Sequence, residues 1–174
     1  MALAGLPALA ANSQPPKVGA IRWPGPGHDL HGFMAIPAKA HGRQPAVLVL
    51  PDSDGADKFA LSLTDWLALA GFVACIPRTL ASLDDALATV RWLATNRYAT
   101  GKVAAIGLGR GGEMIDRIAA SPQALLAAGV TFGASGAEAG RVPLLRFEPI
   151  NALNSDAYDH AWQQILAFLK EQLV

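Results

Sequence analysis

Charge is scarce in this sequence and neither sign predominates: 16% of its 174 residues are charged, and fourteen Lys and Arg balance fourteen Asp and Glu. The positive excess of a nucleic-acid module or a basic membrane-surface binder is missing, so neither partner is expected. Cysteine occurs once, at Cys75, which excludes an internal disulfide framework and a cysteine-based zinc site. No apolar run approaches the roughly 20 residues of a membrane-spanning helix. Histidine is limited to His28, His31, His41 and His160. His28, Asp29 and His31 are too thin a set for a metal ion, so no metal and no cofactor is expected. Hydrophobic residues supply 52% of the chain, too many for disorder. A chain of this length buries roughly 70% of its unfolded surface, enough for one core without covalent staples.

The first twelve residues, MALAGLPALAAN, are small and apolar, and Ala8-Leu9-Ala10 resembles a signal-peptidase site. No Lys or Arg precedes the run, although an export signal carries a positive start. Residues 1–16 therefore read as a loose arm or the remnant of an export signal. The compartment stays open between cytoplasm and periplasm. Gln14-Pro15-Pro16 marks the boundary with a domain over residues 17–174.

From about residue 45, apolar runs alternate with helical periodicity. Pro45–Leu50, Phe72–Ile76, Lys102–Ile106, Ala128–Phe132 and Val142–Phe147 read as strands, the first closed by Pro51 and the second by Pro77. Between them, Phe59, Leu63, Trp66, Leu67 and Ala70 share one helical face, and Gly71 ends the pattern. Ser82 caps a second helix with the stripe Leu83, Ala86, Leu87, Val90 and Leu93. A third runs from about Glu113 to Ala120, and a last from about Asp156, with Tyr158, Trp162, Ile165, Leu169 and Leu173 inward. Residues 17–37 read as an edge hairpin turning near Pro24–Gly27. Such alternation with short links predicts a single-domain α/β fold, a mostly parallel sheet with helices on both faces.

The segment AAIGLGRGGEMI, Ala104–Ile115, is the most informative. A strand enters a glycine turn and leaves as a helix. Gly107, Gly109 and Gly112 match the G-x-G-x-x-G outline of a dinucleotide site, but the turn follows a middle strand, and Phe132-Gly133-Ala134-Ser135-Gly136 at the end of the next strand offers no carboxylate until Glu138. The same strand–turn–helix outline suits a nucleophile elbow, G-x-S-x-G, whose central residue attacks beside the helix amides. Gly109 holds that central position and has no side chain to attack with.

Taken with PAVLVLPDSDG, GFVACIPR, VRWLA and AAGVTFG, this segment resembles the dienelactone hydrolase family of α/β-hydrolases over residues 17–174. The resemblance implies a shortened α/β-hydrolase-like fold. It also implies what is missing. Gly109 stands where the family has its cysteine or serine, Asp52 where it has a glutamate, and Asn151 where it has the histidine. A strand-and-helix segment that would carry the triad aspartate is absent between Gly133 and Asn151.

A nucleophile, a base and an orienting acid work as a unit, so the resemblance implies a protein that has lost hydrolysis and serves as a binding or assembly subunit. Two alternatives stay open: an esterase or lactonase with its nucleophile moved to Ser53 or Ser135, and a nucleotide-binding protein using Gly107–Gly112. Ser53 and Ser135 also suit ordinary turns. Arg110, at the first turn of a helix, is placed to meet a small anionic ligand or to pair with Glu113 or Asp116. The expected pocket therefore comprises Asp52, Ser53, Gly109, Arg110, Gly111 and Ser135. Loss of a covering strand and a net charge of zero favour a protein partner or a homo-oligomer.

Overall fold

The computed structural model describes residues 14–52, 57–79, 82–134, 136 and 140–174. Ser53, Ser135 and residues 1–13 of the expected N-terminal arm lie outside the described residues.

Two antiparallel strands, β1 (Lys17–Pro24) and β2 (Asp29–Ile36), open the fold as a hairpin. Five mutually parallel strands follow: β3 (Gln44–Leu50), β4 (Val73–Pro77), β5 (Ala99–Leu108), β6 (Leu126–Phe132) and β7 (Leu144–Phe147). They form one seven-stranded sheet in the order β1-β2-β4-β3-β5-β6-β7. This is the mostly parallel α/β sheet that the alternation predicted.

Helix α1 (Lys58–Leu69) and helix α4 (Ser155–Leu173) cover one face, and α2 (Leu83–Ala94) and α3 (Arg110–Ala120) the other. The pleat divides each central strand between the two cores. Val47, Val49, Ala104 and Ile106 join Leu63, Leu67, Trp162, Ile165 and Leu169 on the first face. Ala46, Leu48, Val103 and Ala105 join Ala86, Val90, Leu93, Ile115 and Ile118 on the second. Burial on both faces explains why these strands read as continuous apolar runs.

The helix ends follow local chemistry. Asp57 Oδ1 accepts from the Ala60 amide at 2.8 Å, Ser82 Oγ from Asp85 at 3.1 Å, and Asn154 Oδ1 from Ala157 at 2.8 Å. One boundary differs from expectation. Helix α3 begins at Arg110, not Glu113, because Gly111 and Gly112 are buried in its first turn by close packing that outweighs their weak helix propensity. The link from β6 to β7, residues 133–143, has no helix among its described residues, although parallel neighbours are usually joined through one. The sheet ends at β7.

Candidate functional site: a bare elbow closed by Asp52

Strand β5 delivers the chain to Gly109, whose backbone takes φ +51° and ψ −115°, and α3 starts at the next residue. This is a sharp strand-to-helix turn with a positive φ, the form that lifts a catalytic side chain above a sheet. The flanking glycines are dictated by packing. A Cβ on Gly107 would overlap the Gly111 backbone, and one on Gly111 would overlap the Leu50 carbonyl. Gly107 and Gly111 thus seat the first turn of α3 against the ends of β5 and β3. They hold the chain against itself, which is the elbow's use of glycine.

At the centre of the elbow the space is filled. A Cβ on Gly109 would overlap the carboxylate of Asp52, carried by the segment that follows β3. Asp52 Oδ1 accepts from the Arg110 amide at 2.9 Å, and Arg110 Nε donates to the Asp52 carbonyl oxygen at 2.8 Å. Gly109 itself gives α3 no side-chain cap. Asp52 supplies that cap from across the sheet, placing a negative charge on a free amide at the positive end of the helix. Of the alternatives open to Arg110, pairing with Asp116 is corrected: Asp116 pairs with Arg146, Oδ1 to Nη2 at 2.8 Å, and Arg110 is turned to Asp52.

Asp52, Arg110 and Gly111 line one cleft of about 260 Å³, at the C-terminal ends of β3 and β4 and along α3. Gly109 adjoins this group, bonded to Arg110 and overhung by Asp52, but does not itself line the cleft. Asn151 lies exposed in a single 3-10 turn, Ile150–Ala152, with no hydrogen bond to Asp52, Gly109 or Arg110 among the described residues. Arg78, Glu113, Met114 and Arg117 also line the cleft and were not singled out from the sequence. A signal for the last three was present, since positions 110, 113, 114 and 117 share one helical stripe.

No histidine lines the cleft. His28 Nε2 lies 3.3 Å from Asp85 Oδ1 beside α2. His160 is exposed on α4, 3.1 Å from Gln164 Nε2. Cys75 is fully buried in β4, and burial pushes its thiol far above the ordinary range, so no thiolate is available. A second cavity, about 10 Å³, lies among Phe59, Phe132, Ile150, Tyr158 and Trp162 and is too small for an organic ligand. Burial, and then the charge of Asp159, raise the Tyr158 hydroxyl well above the usual phenol value. Among the described residues no three His, Cys, Asp or Glu side chains are grouped to hold a metal ion, and no helix is long and apolar enough to cross a membrane.

Residues 30–82 match the dienelactone hydrolase family. Over 65 residues the chain is 34% identical to Escherichia coli (strain K12) YghX, which is named as a hydrolase fragment; the match spans 36% of this chain and 56% of YghX. Among solved structures, the dienelactone hydrolase-like promiscuous phosphotriesterase P91 from metagenomic libraries superposes with a TM-score of 0.70 at 15% identity, over 92% of this chain and all of that one. A brefeldin A esterase, described as a bacterial homologue of human hormone-sensitive lipase, superposes at 0.57 with 18% identity, over 73% of this chain and 42% of the esterase. These likenesses in structure establish an α/β-hydrolase-like fold.

Proposed function

We propose that the chain, which matches the dienelactone hydrolase family through residues 30–82, is a family member without elbow hydrolysis, acting as a binding or assembly subunit. One observation carries the reading: the elbow turn persists while its central residue is Gly109 and the Asp52 carboxylate fills the nucleophile's space. Attack on an ester needs a nucleophile there and a vacant amide to receive the developing oxyanion. Asp52 takes up the Arg110 amide with a full negative charge, which repels an oxyanion at that point. The same carboxylate weighs against a dinucleotide, whose phosphates need free amides at this helix start.

Removing one member of a catalytic triad typically leaves only the residual ~10³–10⁴-fold acceleration from binding and the oxyanion hole. Here the residual part is obstructed as well. Turnover of p-nitrophenyl acetate and of a γ-lactone should match heat-inactivated protein; saturable turnover would overturn the reading and favour a relocated nucleophile such as Ser53 or Ser135. The assembly role draws support from β7, which ends the sheet with one edge unpaired among the described residues. A homodimer through this edge is expected in light scattering at high protein concentration, and a clean monomer would count against it.

A further inference from the structure

The cleft beside the elbow has a chemistry of its own. Its α3 wall presents Arg110, Glu113, Met114 and Arg117 along one helical stripe, and the opposite wall presents Pro77-Arg78-Thr79 as the chain leaves β4. Arg78, Arg110 and Arg117 therefore line one space of about 260 Å³ together with Asp52 and Glu113. Asp52 is committed to the Arg110 amide, and Arg110 Nε to the Asp52 carbonyl. Among the described residues, Arg78 and Arg117 have no ion-pair partner. Three arginines against two carboxylates leave the cleft a net positive charge, and an anion between Arg78 and Arg117 relieves their mutual repulsion.

We propose that this cleft binds a small organic phosphate monoester, held between Arg78 on one wall and Arg117 on the other, with Arg110 at the inner end. A guanidinium presents a planar fork that matches two oxygens of an oxyanion. A carboxylate has two oxygens and saturates one fork; a phosphate monoester has three terminal oxygens and close to two charges, so it engages forks from both walls. Leu50, Pro51, Pro77 and Met114 give the organic part an apolar surface. The volume admits only a compact ligand, since drug-sized sites span ~300–1,000 Å³. The proposal rests on the non-hydrolytic reading, because the ligand is to be held and released intact.

The probe is phenyl phosphate, titrated into the whole protein by calorimetry at low and moderate salt, with its phosphorus resonance followed by NMR. Binding that weakens with salt is expected, with benzoate at least tenfold weaker. Arg78→Ala and Arg117→Ala should each weaken it at least tenfold. Arg91→Ala, in the last turn of α2 and outside the cleft lining, should leave it unchanged. Arg78 and Arg117 are exposed, so thermal melts should confirm that the variants fold. Absence of binding at low salt overturns the site, as does equal binding by the Arg78 and Arg117 variants or an equal loss in Arg91→Ala. Release of phenol would contradict the non-hydrolytic reading while leaving the binding result to stand by itself.

Discussion

Substituting Gly109 by alanine probes the elbow more sharply than any loss of function can. The Gly109 backbone, φ +51° and ψ −115°, lies outside the regions that L side chains favour, and a residue held in so sparse a region costs about 1–3 kcal/mol. The added Cβ also overlaps the Asp52 carboxylate, which must withdraw and give up its bond to the Arg110 amide. Loss of a helix cap of this kind costs about 0.5–2 kcal/mol. Gly109→Ala should therefore destabilise the protein by roughly 2–4 kcal/mol, a fall in Tm of about 4–16 °C for a chain of this size. Asp52→Ala alone should cost about 1 kcal/mol. In the double variant the overlap is gone and the cap is lost only once, so the combined cost should fall short of the sum by about 1 kcal/mol or more. Urea unfolding followed through tryptophan fluorescence measures all four corners; Trp23 and Trp92, stacked at 5.0 Å, make a suitable probe. Additivity within about 0.5 kcal/mol would refute the claim that Asp52 occupies the space above Gly109.

Other outcomes are expected. Gly109→Cys should not create an esterase, because no histidine lines the cleft; measurable acetyl ester turnover would place a base that the described residues do not reveal. Arg146→Ala strands the Asp116 carboxylate, 12% exposed between α3 and β7, and should cost on the order of 2–3 kcal/mol in urea unfolding. Stability should fall in alkali. The buried Cys75 thiol stays protonated in the fold, whereas in the unfolded chain it ionises from about pH 8.5. Above that pH the native state holds more protons, so stability declines by up to about 1.4 kcal/mol per pH unit, and Tyr158 adds to the decline above about pH 10. Cys75→Ala should flatten the profile between pH 8.5 and 10; an unchanged slope would contradict this assignment.

The fold was largely legible because its signals are local. Apolar runs closed by Pro51 and Pro77, and stripes such as Leu83–Leu93, report burial on one or two faces directly. The elbow was legible from Gly107 and Gly111, since only glycine admits that approach of α3 to β3 and β5. Contacts between distant segments were not. The bond from the Arg110 amide to Asp52 joins the ends of β3 and β5, neighbours in the sheet that are far apart in sequence. Glu113 and Asp116 were candidate partners of Arg110 as carboxylates of the same helix, yet Arg146 of β7 claims Asp116. The arginine cleft went unseen because Arg78 lies beyond β4 and meets α3 only once the sheet order sets β3 between β4 and β5.

Intact-mass spectrometry after prolonged exposure of the native protein to a fluorophosphonate is the most direct test of the central claim, that the elbow retains its shape without a nucleophile. An unmodified mass is predicted, with a serine hydrolase labelled to completion alongside it. A stoichiometric adduct mapped to a serine beside the elbow would contradict the account.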